Sequence, residues 1–400
     1  MTPDSISIPL RIFPQVQHDH WGRPAASSLV GALAGITEPD KPCAELWVGA
    51  HHECPSLTDC DGELKSLAAV IAADPKAALG AELHARFGAA LPFLFKILSI
   101  GKPLSIQAHP DKLLAERLHR EKGYPDANHK PEMAVALGDV SLLFGFRPLP
   151  QISADVRRLP ELQACLGGEV SGMLLAGADE PGFLQRLYRA LLTAPPDVIS
   201  AQSALLRERL EAAPQAEEAD RWVLRLLQRE FPRGDVGVLS FYVLNLLRLK
   251  RGESVFIPAN TIHAYLDGEL AECMANSDNV VRAGLTPKEK DIDTLLAMLR
   301  YESGIPAAVQ ARSSGARTAY RVPLSEPEFG IDMLRGGAEC EYAERGPKIL
   351  LCVEGAGDLT SGEWSAPLKA GSAFFIADAV PSCRVKLDEG LCFAAFVPAA

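Results

Sequence analysis

The chain has 400 residues, 48% of them apolar and 23% charged, with a formal net charge of −11. That length points to about two or three domains, and the composition excludes a disordered chain. The acidic balance argues against nucleic acid as a partner, and no apolar run approaches the ~20 residues that span a bilayer. The N-terminal stretch has no basic segment followed by an apolar one. Nine cysteines without a Cys-x-x-Cys pair fit free thiols in a reducing compartment, so a soluble cytoplasmic protein is expected.

Within residues 1–60, Pro14, Pro24, Pro39, Pro42 and Pro55 leave little room for helices, and Ala44–Ala50 reads as a short buried strand. Leu64, Leu67, Ala68, Ile71 and Ala72, then Leu79, Leu83 and Phe87 after Pro75, predict two short helices over 61–90. Leu91–Ile100 and Pro103–Ala108 are apolar runs, expected as paired strands with a bend at Gly101. Asp111 sits at the N-cap of a helix reaching Glu121. Gly123–Pro131 is turn-like, and Glu132–Leu137 and Val140–Phe146 read as strands parted by Gly138-Asp139.

Residues 150–232 are rich in Leu, Ala, Arg and Glu, with helical spacing at 183–192, 200–212 and 217–231 and an exposed link at Glu211–Ala219. They predict an all-helical insertion of roughly 80 residues that shapes one side of the protein. Strands are then expected at Val236–Leu249, Ser254–Ile257 and His263–Leu266, with a short helix at Asp291–Arg300. From about 320 to 398 the chain reads as strands with Gly-rich turns and no histidine. Residues 249–257 (LKRGESVFI) and 368–376 (LKAGSAFFI) match at Leu, Lys, Gly, Phe and Ile, as a duplicated β unit would. At that offset His263 corresponds to Ser382, so the second unit cannot repeat the ligand set of the first.

The chemistry centres on Leu-Ser-Ile-Gln-Ala-His-Pro-Asp at 104–111. On a strand, Gln107 and His109 point to one face, with Ser105 one pleat earlier. With Glu132 and His263 they form a candidate metal set of two imidazoles, a carboxylate and an amide oxygen, which suits Zn²⁺ first and Mn²⁺ or Fe²⁺ next. His129 and Lys130 stand beside Glu132, and Lys130 could hold an anion. The stretch Glu272–Lys288 carries Glu272, Asp278, Arg282 and Lys288 among small residues. Arg282, in an apolar run, either enters a polar cavity or pairs with a carboxylate such as Asp278.

Four stretches together resemble the type I mannose-6-phosphate isomerase (phosphomannose isomerase) family. They are ELWVGAHHECPS at 45–56, KILSIGKPLSIQAHPDK at 96–112, PDANHKPEMAVAL at 125–137 and IPANTIHAYLDGELAECMANSDNVVRAGLTPK at 257–288. The resemblance implies a mainly β fold of two cupin-type β-barrels (jelly rolls), the first metal-bearing and the second metal-free, with an all-α domain inserted. The boundaries expected are 1–149 and 234–300 for the catalytic cupin, 150–233 for the helical insertion and 301–400 for the C-terminal unit. It also implies one Zn²⁺ per chain on Gln107, His109, Glu132 and His263, and an active-site arginine at Arg282. The chain departs from the family at Val48–His52, where a hydroxyl-bearing residue is expected at Ala50.

The implied reaction interconverts mannose 6-phosphate and fructose 6-phosphate by moving a proton between C1 and C2 through an enediolate. The metal would polarise the carbonyl and Arg282 would stabilise developing negative charge. Asp278 and Glu272 are the candidate bases, with His129 behind them, and the sequence does not choose among them. Ser105, Lys130 and Lys288 are candidates for phosphate and sugar hydroxyls, and Lys96 and Tyr265 for the pocket lining. The expected partner is a small phosphorylated hexose bound by a monomer, without nucleic acid or membrane. Competing readings are another metal-dependent cupin enzyme, such as an oxygenase, and a non-catalytic sugar-binding cupin.

Overall fold

The computed structural model describes residues 6–213, 217–304, 309 and 311–398. It is a mixed structure of two large sheets, one of ten strands and one of eleven, with helices concentrated between Leu149 and Leu239. The pairing of the described strands closes neither sheet into a barrel. No helix among the described residues is long and apolar enough to cross a membrane.

The ten-stranded sheet is built on one long strand, His263–Ala275. Its C-terminal half pairs with Phe93–Ile100 on one side and Glu132–Ala136 on the other. Its N-terminal half pairs with Val140–Phe146 and, at His263, with Gln107 of the Ile106–Ala108 strand. Gly268, at φ +117°, lets the strand change partners: a Cβ there would lie 2.5 Å from the Asp139 carbonyl oxygen. Phe93–Ile100 is buried at every position because both of its faces are covered. It does not pair with Ile106–Ala108 as expected; both pair with the long strand instead. Likewise Glu132–Ala136 and Val140–Phe146 are not a hairpin but flank that strand separately.

The eleven-stranded sheet draws on both ends of the chain. Leu10–Phe13 pairs with Ala373–Ile376, and Leu57–Cys60 continues outward from it to Glu63–Ser66. The segment 1–149 therefore gives strands to both sheets. Glu63–Ser66 is a strand where a helix was predicted, and three short helices follow at Leu67–Ala73, Pro75–Leu79 and Ala81–Phe87. The division has local causes. Ser66 caps the first helix, and Asp74 ends it and caps the second by accepting from the Ala77 N–H, with Pro75 at the first helical position.

Six helices between Leu149 and Arg229 match the predicted helical segment, and the three stretches of helical spacing fall on Phe183–Leu192, Pro196–Ala212 and Glu218–Arg229. The predicted link at Glu211–Ala219 lies in part outside the described residues. These helices do not have a core of their own. Leu162, Leu187, Tyr188 and Leu226 share one buried apolar cluster with Ile106, Leu143, Phe146, Ala264 and Val281. They thus back the strands that carry Gln107, His263 and Arg282.

Val236–Tyr242 is helical rather than the first half of a strand. Asp235 starts it by accepting from the Gly237 N–H, and the strand covers only Leu244–Leu249. A Cβ on Gly284 would lie 2.6 Å from Gly237 Cα, so two glycines let this helix touch the Val281–Gly284 strand. Asp235 also accepts from the N–H of Leu285, whose φ of +54° is unusual for a branched residue.

The internal repeat is visible in the backbone. Gly252 and Gly371 both have φ +84°. Glu253 N–H donates to the Lys250 carbonyl at 2.8 Å, and Ser372 N–H donates to the Lys369 carbonyl at 2.8 Å. Glu132 pairs with Ile257 in one sheet, and Lys348 pairs with Ile376 in the other. A buried ammonium therefore stands in the second unit where the first has a carboxylate.

Candidate metal centre and active site

Four strands converge on the candidate metal set. Gln107 lies on Ile106–Ala108, a short strand between His263–Ala275 and Val281–Gly284. It is the register partner of His263 on one side and of Arg282 on the other. His109 follows two residues later, and Glu132 opens its own strand next to Met274. His109, Glu132 and His263 are all buried, with exposures of 1%, 3% and 1%.

The imidazole Nε2 of His109 lies 3.2 Å from Glu132 Oε1, and that of His263 lies 3.3 Å from Glu132 Oε2. Each Nδ1 faces a backbone carbonyl: Asn279 O at 2.7 Å for His109 and Thr261 O at 3.0 Å for His263. A carbonyl only accepts, so both Nδ1 atoms carry the proton and both Nε2 atoms are bare lone pairs in the neutral rings. Those Nε2 atoms and Glu132 Oε2 have no hydrogen-bond partner although buried. Burial pushes the His109 imidazole down to about 4, keeping it neutral. Burial works against ionising Glu132, but the ammonium of Lys130 beside it favours the carboxylate, and its pKa lies well below the usual range. Neutral imidazoles and an ionised carboxylate, all aimed at one point, are what a divalent cation requires. Gln107 Oε1, which accepts from Ser105 Oγ at 3.1 Å, is the fourth candidate donor.

Two members of the set, Gln107 and Glu132, line a cavity of about 250 Å³ with Lys96, Ser105, Lys130, Tyr265, Glu272, Arg282 and Lys288, together with Trp21 and Glu45. Lys96 is the hub of its inner wall. Its Nζ lies 3.3 Å from Glu272 Oε2 and 3.4 Å from Glu45 Oε2, and sits over the Trp47 ring. Burial disfavours the ammonium, but Glu45 and Glu272 more than offset that and raise its pKa. Tyr265 donates to Glu272 Oε1 at 2.9 Å. Burial, and then the charge of Glu132, raise the Glu272 carboxyl above its ordinary value, while Lys96 opposes the rise. Lys130 Nζ is 3.5 Å from Glu132 Oε1. Arg282 is half-buried and, among the described residues, has no carboxylate within ion-pair distance, so its guanidinium is free for a ligand. Lys288 stands exposed at the mouth.

Known proteins give this geometry a lineage. Residues 10–149 match the family Phosphomannose isomerase type I, catalytic domain. Mannose-6-phosphate isomerase of Eremothecium gossypii is 38% identical, with 93% of each chain covered. That of Macaca fascicularis is 37% identical over 95% of this chain and 96% of its own. The chain belongs to the type I phosphomannose isomerase family. Among solved structures, a mutant of phosphomannose isomerase from Salmonella typhimurium is similar at a TM-score of 0.86 and 32% identity, covering 98% of this chain and 100% of its own. A zinc-bound holo form of mannose 6-phosphate isomerase is similar at a TM-score of 0.85, 32% identity and the same coverage.

Within this phosphomannose isomerase fold, two expected site residues face elsewhere. The carboxylate of Asp278 is not part of the cavity lining. Its Oδ1 lies 3.4 Å from His51 Nε2 and its backbone N–H donates to Asp126 Oδ2. His51, aided by His52 and Lys130, holds its carboxyl below the ordinary value. His129 Nε2 lies 3.2 Å from Glu328 Oε1, a residue of the C-terminal region, and is also outside the lining. Nor does Asp278 pair with Arg282. Sequence reasoning missed Glu45, which shares Lys96 with Glu272; a lone carboxylate in the apolar stretch AELWVGA was the available signal.

Proposed function

We propose that this protein is a zinc-dependent aldose–ketose isomerase that interconverts mannose 6-phosphate and fructose 6-phosphate through an enediolate. The observation that carries it is the pair of bare, buried Nε2 atoms beside Glu132, which itself lines a cavity with an unpaired arginine and several ammonium groups. Gln107, His109, Glu132 and His263 would hold one Zn²⁺, and their neutral-imidazole and carboxylate donors suit it. When bound there, the ion supplies Lewis-acid polarisation of the sugar carbonyl.

The chain's own residues do the rest. Of the two candidate bases, we take Glu272, because it lines the cavity and Asp278 does not. Its raised pKa suits a group that both takes and returns a proton, at C2 and C1 in turn. Lys96 and Tyr265 hold its two oxygens in place. Arg282, opposite Gln107 in register, stabilises the negative charge of the enediolate. Lys130, Ser105 and, at the mouth, Lys288 bind the sugar hydroxyls and the phosphate.

In this reading the chain holds two cupin-type units, and Leu10–Phe13, Leu57–Cys60 and Glu63–Ser66 of the first are lent to the sheet of the second. Residues 1–149 and 234–300 make the metal-bearing one, 150–233 the helical insertion and 301–400 the second. The matched turns at Gly252 and Gly371 support the duplication. The protein acts as a cytoplasmic monomer on a small sugar phosphate, without nucleic acid or membrane. A coupled assay with mannose 6-phosphate tests the reaction. Purified protein carries about one Zn²⁺ per chain, chelation abolishes turnover and Zn²⁺ restores it. Full activity after the metal is stripped, or none with the metal bound, sinks the reading.

A further inference from the structure

We infer that a buried polar knot centred on Asp126 and Asn279 is a positioning device for the metal centre, setting the direction of the His109 lone pair. The inference rests on the zinc reading and goes beyond its four ligands. His109 Nδ1 donates to the backbone carbonyl of Asn279 at 2.7 Å, in a fully buried contact. That one hydrogen bond fixes both the tautomer and the ring plane of His109, and so where Nε2 points. The carbonyl is itself held by a residue with no solvent exposure.

The Asn279 side chain donates to three acceptors: Asp126 O at 2.7 Å, Asp126 Oδ1 at 3.0 Å and Asn128 O at 2.9 Å. The Asp126 carboxylate accepts more than these. Oδ1 takes the Asn128 N–H at 2.8 Å and the Ser277 hydroxyl at 2.9 Å, and Oδ2 takes the Asp278 N–H at 2.7 Å. One carboxylate and one amide thus tie residues 276–280, which orient His109, to residues 126–130, which lead into Lys130 and Glu132. Both segments lack regular structure here, so no sheet ladder fixes their relative height. The side-chain knot does that instead, and His109 depends on it, whereas Glu132 is already fixed by its ladder pairs with Ile257 and Met274.

A packing role and a positioning role are separable. Asn279→Asp keeps the volume of the side chain but replaces its donor group with an oxygen facing three acceptors. Zinc affinity is measured by competition with a chromophoric chelator on the full chain, far below its melting temperature. The Co²⁺-substituted protein is followed by its visible spectrum, and the melting temperature of the metal-free form is recorded alongside. The expected result is a Zn²⁺ dissociation constant raised about 10–100-fold and an altered Co²⁺ spectrum, the size seen when a group orienting a metal ligand is lost. If Asn279→Asp does not fold, the milder Ser277→Ala, which removes one donor from Asp126, is read in the same way. A folded variant with wild-type zinc affinity and an unchanged Co²⁺ spectrum overturns the inference, even if its melting temperature falls. Wild-type protein that binds no zinc in this assay overturns the zinc reading as well.

Discussion

Lys96 and Glu272 are register partners on adjacent antiparallel strands, and their charged ends meet at 3.3 Å inside the cavity wall. Two effects compete at Glu272. Burial and the Glu132 charge push its carboxyl up, and Lys96 pulls it down. Zinc on Glu132 would remove part of the repulsion and leave burial as the main cause. If Lys96 is replaced by Met, the downward pull is lost and the pKa of Glu272 rises further. The base then needs a higher pH to ionise. The acid limb of kcat/KM against pH is expected to move up by about one unit or more in Lys96→Met. A limb that stays in place, or moves down, would show that Glu272 is not the group being titrated. The stability sign is separate: a raised carboxyl favours the fold fully below its ordinary value and loses that contribution as pH rises through the raised one.

Arg282 is a cation with no carboxylate partner among the described residues, on a strand whose end is pinned by Asp235. Its removal breaks no ion pair, so the fold and the metal set should survive. Arg282→Ala is expected to keep about one Zn²⁺ per chain and lose roughly 10²–10³ in kcat, the size of a lost charge-stabilising donor. Arg282→Lys should recover only part of this, because an ammonium lacks the planar fork. Metal analysis and steady-state kinetics on the same samples check both. Wild-type kcat in Arg282→Ala would rule out its role at the enediolate.

The grouping of His109, Glu132 and His263 was legible in the sequence through the family motifs, although His109 lies one residue past the strand Ile106–Ala108 on which alternation was argued. The direction of Asp278 was not. It is close to Arg282 in sequence, but the His51 ring that faces it comes from the loop after Glu45–Val48. The direction of His129 was hidden for the same reason, since Glu328 reaches it from the irregular stretch before the Gly330–Arg335 strand. The strand pattern of Leu10–Phe13 says that it pairs, and nothing in four residues says with which sheet. At Val236–Tyr242 the apolar run fitted a strand or a buried helix equally. Asp235 as N-cap and Gly237 against Gly284 decided it.

Asp291 ties two helices together near the site. It caps Ile292–Met298 by accepting from the Thr294 N–H at 3.1 Å, and its other oxygen takes Lys122 Nζ at 2.7 Å from the helix Lys112–Lys122. Burial alone would raise its carboxyl, but Lys122 and Thr294 hold it below its ordinary 3.8. A depressed carboxyl contributes stability that is present above the ordinary value and is lost as pH falls through the lower one. Asp291→Asn keeps the capping oxygen and removes the charge. Its deficit against wild type should be seen near pH 7 and vanish by about pH 2. Asp291→Ala loses the cap as well, at about 1 kcal/mol, and that part should persist at low pH. Urea denaturation of the three proteins at both pH values checks this. A deficit of Asp291→Asn that grows on acidification would contradict the sign.

The duplicated turns allow a prediction that separates backbone strain from crowding. Gly252 and Gly371 share a φ of +84°, so alanine at either position meets the same left-handed penalty of about 1–2 kcal/mol. Their surroundings differ. A Cβ on Gly252 would lie 2.9 Å from Arg335 Nη2, the end of a long side chain that can swing away. A Cβ on Gly371 would lie 2.5 Å from the Leu33 carbonyl oxygen, which is backbone and cannot. Gly371→Ala is therefore expected to destabilise more than Gly252→Ala, by roughly a further 1–2 kcal/mol. Chemical denaturation of the two variants measures the difference directly. Equal losses would mean that φ alone sets the requirement for glycine in both units, and that the contact with Leu33 relaxes at no cost.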